Sequence, residues 1–288
     1  MLIVLMRLWN WLPAVVRGLI ANEIIVSLGA LIPGFAVILN LKTSPRVPWM
    51  VIVTAGWLWF FWWYLSGHGW PRSTADARRR DLRGGPLTRR RWIWALVAGV
   101  LGIASTIALA FATARLANLP RDAFASPINL ANYPMLTVLC AIACISATAG
   151  VVEEAGFRGF LISPIQRRHG WTVAILVSGI MFWLDHHLSH GYATIAFLPF
   201  FIAISVVHGL LVKYSGSIRP SAVLHAIADF IVIPTTYGLV GTFVITPLSQ
   251  TGFDRQFGIC LGVMLICAVA FVPALKQLGV APSDTTQG

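Results

Sequence analysis

Ionic side chains are scarce in this chain of 288 residues: 11% are Asp, Glu, Lys or Arg, and only 10 are acidic. A soluble domain is about 25% charged, because its surface must be solvated. A water-exposed globule of this size is therefore excluded. A disordered chain is excluded as well, since such chains are poor in apolar residues, and here 57% are hydrophobic. Lysine is reduced to Lys42, Lys213 and Lys276. The four cysteines, Cys140, Cys144, Cys260 and Cys267, all lie in apolar runs. They have neither zinc-site spacing nor the setting of a disulfide scaffold, and read as packed thiols. No internal repeat and no separate soluble domain is visible. With a mean hydropathy of +0.78, what remains is an all-α polytopic membrane bundle forming a single membrane domain over residues 1–288.

Stretches near the roughly 20 residues needed to cross a bilayer occur at 17–41, 48–66, 92–114, 134–164, 171–188, 192–213, 220–239 and 257–278. The sequence thus predicts about eight transmembrane helices. The apolar segment 1–16 lacks a small-residue cleavage site and reads as an interfacial or partial helix.

The charge that exists is lopsided, 21 basic against 10 acidic residues. Such a balance can signal nucleic acid, but arginines also collect in cytoplasmic loops of membrane proteins. Residues 68–91 hold Arg72, Arg78, Arg79, Arg80, Arg83, Arg89, Arg90 and Arg91 against Asp76 and Asp81. That loop is expected to be cytoplasmic and in contact with lipid headgroups. Alternation then puts Arg167, Arg168, Lys213, Arg219 and Lys276 on the same side, with both termini inside and no nucleic-acid partner.

Ionisable groups inside apolar spans are costly and tend to be functional. Glu153, Glu154, Asp185 and Asp229 fall in spans four to seven, with His186, His187, His190, His208 and His225. On a helix, Glu154 and Arg158 share a face, which makes Glu154 the partner of the arginine and leaves Glu153 available for chemistry. Gly156 leaves space beside Glu153 for a water or another backbone. Phe182 lies one turn before His186 and can wall its imidazole. His186 and His190 have the four-residue spacing of a metal pair, and Asp185 can orient a neighbouring histidine. His225 and Asp229 share a face. His208 stands alone, where a satisfied core histidine is the simpler reading. Counting at about 1.5 Å per residue from the expected helix ends brings Glu153, His186, His225 and Asp229 to similar depth. A buried carboxylate with two histidines and no evident nucleophile suits activation of water.

These residues resemble the CPBP family of intramembrane proteases, which includes the CAAX-processing Ras-converting endopeptidases and bacterial relatives. Its three motifs read here as Glu153-Glu154-x-x-x-Arg158, Phe182-x-x-x-His186 and His225-x-x-x-Asp229, the last preceded by Gly216-Ser217-Ile218-x-Pro220. The resemblance covers about 150–230 and implies a catalytic core at about 134–240. It implies peptide hydrolysis in which Glu153 activates water, His186 assists, and His225 with Asp229 forms the oxyanion site, with Glu154 and Arg158 in support. The substrate would be a membrane-associated protein or peptide, and the location a bacterial cytoplasmic membrane.

Two departures bear on this. The family position taken by Asp229 is often Asn, whose amide can donate, as an ionised Asp cannot. His187 and His190 are additional histidines. Zinc on Glu153, His186 and His225, with His190 in reach, is compatible with these residue types, although the resemblance also allows a metal-free glutamate mechanism, which is the expectation here. The competing class is a non-proteolytic scaffold, an immunity-type protein or a proton-coupled transporter. Transport would predict inverted repeats or paired broken helices, and neither is evident.

Overall fold

A computed structural model describes residues 12–119, 130–236 and 245–280. Most of the 1–16 segment and the last residues of the seventh expected span lie outside these. Described helices lie in each of the eight apolar stretches, and two short ones, Ala75–Leu82 and Leu248–Thr251, lie outside them. They are α1 (Ala14–Thr43), α2 (Met50–Leu65), α3 (Ala75–Leu82), α4 (Arg89–Leu116), α5 (Met135–Thr148), α6 (Ile162–His190), α7 (Leu198–Ser215), α8 (Arg219–Thr236), α9 (Leu248–Thr251) and α10 (Arg255–Gly279). Between α5 and α6 the chain winds as a π-helix, Ala149–Leu161. There is no strand among the described residues.

Five of the described helical units are long and apolar enough to cross a membrane. One, Met135–Leu188, is 54 residues long and turns back on itself at Gly170, with φ 82 and ψ 171. Glycine reaches that conformation without steric cost. The return leg packs on the outgoing one: Ser178 Oγ donates to the Phe157 carbonyl at 3.3 Å, and the Phe157 and Phe182 rings meet edge-on at 5.0 Å. Helix α2 is apolar but shorter. Helix α8 is not among the five, its apolar run being interrupted by Arg219, His225 and Asp229.

The outside of the bundle is as apolar as its inside. Leu31, Phe35, Ile266 and Val269 are 63–72% exposed, which suits contact with acyl chains and supports an integral membrane protein. Inside, small residues let helices approach, as membrane packing without a hydrophobic drive requires. Gly150 is one: a Cβ there would strike the Ala222 carbonyl and Ala226 of α8. This contact sets α8 directly against the π-helical segment.

The arginine-rich loop is more structured than a topological signal requires. It contains α3, and several of its arginines dock it onto the bundle. Arg78 donates to the carbonyls of Tyr64 (2.7 Å) and His68 (2.8 Å) and lies over the Tyr64 ring. Arg83 donates to Ser163 Oγ (2.9 Å) and Gln166 Oε1 (2.8 Å).

Arg115, at the far end of α4, is 3% exposed. It donates to both Asp254 oxygens at 2.8 and 2.7 Å, to Thr251 Oγ1 at 2.7 Å and to the Thr246 carbonyl at 2.9 Å. Asp254 also caps α10 by accepting from the Phe257 N–H at 2.8 Å. The Arg115 guanidinium and then the Phe257 N–H hold the Asp254 carboxyl well below the usual carboxylate range. Asp254→Asn keeps a capping oxygen and removes the charge. A carboxyl whose pKa is depressed by folding stabilises above its unfolded pKa, and that contribution fades as pH falls towards the folded value. Thermal unfolding in detergent should show a lower Tm for Asp254→Asn at pH 7, and the gap should close as the pH falls below about 4.

Candidate active site

The centre of the site is a buried ion pair. Glu154 and Arg158 are both fully buried, with Arg158 Nη1 3.3 Å from Glu154 Oε1. The pairing expected four residues apart survives the π-helical winding of this segment, which the sequence reading had treated as α-helical. π-Helical turns recur at functional sites. The room at Gly156 is taken by a neighbouring helix. A Cβ there would meet Val26 and Asn22 of α1, so its smallness seats α1.

Glu154 is held from two further sides. Ser221 Oγ donates to Oε2 at 2.5 Å, and His225 Nδ1 donates to Oε1 at 2.9 Å. The opposite ring nitrogen, His225 Nε2, lies between two more carboxylates, 3.8 Å from Glu153 Oε2 and 3.6 Å from Asp229 Oδ2. Glu153 Oε2 itself is buried and has no hydrogen-bond partner among the described residues. The two adjacent glutamates therefore differ sharply: one is saturated with donors, the other faces open space.

That space is a cavity of about 320 Å³ lined by Glu153, His186, His225 and Asp229, together with Arg158 and His208. The remaining wall is apolar, including Ile107, Phe197, Phe200, Phe201 and Ile204. His186 is packed edge-on against Phe182 at 4.5 Å and lies 4.8 Å from the Phe201 ring. Its Nδ1 donates to the Phe182 carbonyl at 2.9 Å, so the neutral ring has Nε2 as its accepting nitrogen. Phe182 also lies under the Arg158 guanidinium, 4.6 Å from ring centroid to Cζ. One phenyl ring thus positions both the arginine and the histidine.

Other candidates fall outside the cavity wall. His187 is engaged at the end of α6, bonded to the Gly191 carbonyl (3.1 Å) and Thr194 Oγ1 (3.0 Å) and stacked on Trp183. Asp185 does not line the cavity. The side chain of His190 lies outside the described residues. Among the described residues no three His, Cys, Asp or Glu side chains are placed to share one metal ion. The donors expected for zinc do not fit one as they stand.

Two residues were missed. His208, read as an isolated core histidine, is 2% exposed, and its Nδ1 lies 2.6 Å from Ser221 Oγ. Ser221 has one proton, and it goes to the Glu154 carboxylate. His208 must therefore carry its proton on Nδ1 and donate to Ser221. The result is a chain of donors from His208 through Ser221 to Glu154. A signal was present in the sequence: Ser221, His225 and Asp229 recur at four-residue intervals and make one polar stripe on α8.

Residues 133–231 match the family model described as Rce1-like, type II CAAX prenyl endopeptidase Rce1-like. No curated protein and no solved structure matches the chain. The matched stretch runs from just before α5 into α8 and contains every polar residue of the cavity wall described above. Over about a third of its length, then, this integral membrane protein is similar to the Rce1-like CAAX protease family, a likeness that supports a CAAX-type intramembrane endopeptidase acting on a membrane-associated peptide.

Proposed function

We propose that the protein hydrolyses a peptide bond of a membrane-associated substrate with water activated by Glu153. The observation that carries this reading is the Glu153 oxygen that has no hydrogen-bond partner among the described residues, buried on the wall of a largely apolar cavity and facing the His225 imidazole. The apolar wall receives aliphatic or aromatic side chains of an extended peptide. Glu153 accepts a proton from water as the oxygen attacks the scissile carbonyl, and returns it to the leaving amine. His225, fixed by its Nδ1 bond to Glu154, presents Nε2 to the developing oxyanion as the imidazolium, with His186 assisting. Asp229, level with that nitrogen, orients and supports the imidazolium in place of an amide donor. Glu154 and Arg158 hold His225 and do not contact substrate. No metal is required in this scheme.

Proteomics of membrane-protein termini in cells tests the reading. Glu153→Gln, inserted and folded, should erase a set of new termini that the native protein generates, a loss of at least about 10²-fold in cleavage for a general base. Unchanged termini would contradict the assignment. Native protein purified in a chelator should keep full activity with less than stoichiometric zinc; activity that returns only on adding zinc would make it a metalloenzyme. Ser221→Ala removes the donor that links His208 to Glu154. A hydrogen bond to a charged group is worth about 1.5–3 kcal/mol, so kcat should fall by about ten-fold or more while KM stays the same, because Ser221 does not reach the cavity. A change confined to KM would remove it from this role.

A further inference from the structure

A second cavity, of about 590 Å³, lies where the arginine-rich loop meets the ends of α1 and α2. Four arginines line it, Arg17, Arg78, Arg80 and Arg167, against one carboxylate, Asp81. Asp81 is shared by Arg167 at 2.8 Å and Arg80 at 3.3 Å. Neither Arg17 nor Arg78 has a carboxylate partner among the described residues. Arg78 is spent on backbone carbonyls, but the guanidinium of Arg17 makes no hydrogen bond to any described residue, and its Nε is buried. The cavity therefore holds an excess of positive charge that no described residue neutralises.

Its floor is of the opposite character. Ala21, Ile24, Ile25, Phe160 and Pro164 supply apolar surface directly beneath the arginines. Residues 17, 21, 24, 28, 31 and 35 alternate in steps of three and four and so share one face of α1. Below Arg17 that face is wholly apolar and open: Ile24 is 51% exposed, Leu28 55%, Leu31 63% and Phe35 65%. From Arg17 to Phe35 it runs for about 27 Å, long enough for a full acyl chain. A cationic pocket at a helix end, continuous with an exposed apolar track down the same helix, matches an anionic group joined to a hydrocarbon tail.

We propose that this cavity binds the phosphate headgroup of an anionic phospholipid, with an acyl chain lying along the Ile24–Phe35 face of α1. Arg17 and Arg80 supply donors to the phosphate oxygens, Arg78 supplies charge from behind, and the hydroxyls of Ser73 and Thr74 border the same pocket. A free phosphate would use the arginines and leave the track unused. The site depends on the membrane-embedded fold and not on the proteolytic reading, since none of its residues lines the Glu153 cavity.

The test is native mass spectrometry of the full chain released from nanodiscs. The discs contain phosphatidylcholine alone or mixed with phosphatidylglycerol, and inorganic phosphate is added to phosphatidylcholine discs as a separate arm. The native protein should retain phosphatidylglycerol over phosphatidylcholine, and the Arg17→Gln/Arg80→Gln double variant should lose that preference by at least about ten-fold. Arg89→Gln/Arg90→Gln removes two charges of the same loop that do not line the cavity and should retain it. Thermal unfolding of each variant verifies that it is folded. Equal retention of the two lipids, equal loss in both double variants, or protection by inorganic phosphate as great as that by phosphatidylglycerol would each overturn the proposal.

Discussion

The buried Glu154–Arg158 pair is the interaction on which the rest of the site depends. Two buried charges are tolerated only when paired, and here the arginine is not fully satisfied: Arg158 Nε and Nη1 make no hydrogen bond among the described residues. Here the carboxylate accepts from Ser221 and His225 as well as facing Arg158. Arg158 lies over Phe182 and reaches Ser205 Oγ at 3.3 Å. Those partners come from α6, α7 and α8, so one ion pair fixes three helices around the π-helical segment. Breaking such a pair by removing one member costs about 3–5 kcal/mol, a large part of a domain's stability.

The same pair makes its neighbour reactive by contrast. Glu153 and Glu154 are adjacent in sequence, yet one is consumed by structure and the other has an oxygen with no partner among the described residues. His225 joins them, bonded through Nδ1 to the structural glutamate and turned through Nε2 towards Glu153 and Asp229. In the proposed mechanism a rigid acceptor thus aims the imidazole at the atoms that react.

Much of this was legible in the sequence because the bilayer penalises misplaced charge. Hydropathy marked the helices, and the scarcity of acids made Glu153, Glu154 and Asp229 conspicuous. The motif spacings that suggested one site correspond to residues that line one cavity. What the sequence did not reveal depends on contacts between helices. Gly156 looked like space for water and is where Asn22 and Val26 of α1 pack. His208 and Ser221 lie on different helices, and no periodicity links them. Arg78 and Arg83 counted as topological charge and Arg115 did not stand out, but their guanidinium groups satisfy carbonyls and side chains brought near only by folding. The π-helical winding of Ala149–Leu161 likewise leaves no mark on residue spacing that α-helical periodicity would expose.

The central claim is that water, not the Glu153 carboxylate, attacks the peptide carbonyl. It is tested most directly by a single turnover of purified protein in ¹⁸O-labelled water, on a peptide taken from a Glu153-dependent terminus. Direct attack predicts one labelled oxygen in the new C-terminal carboxylate of the product and none in Glu153, read by mass spectrometry of both. Label appearing in the Glu153 carboxylate, as hydrolysis of an acyl-glutamate intermediate would leave it, would contradict the account.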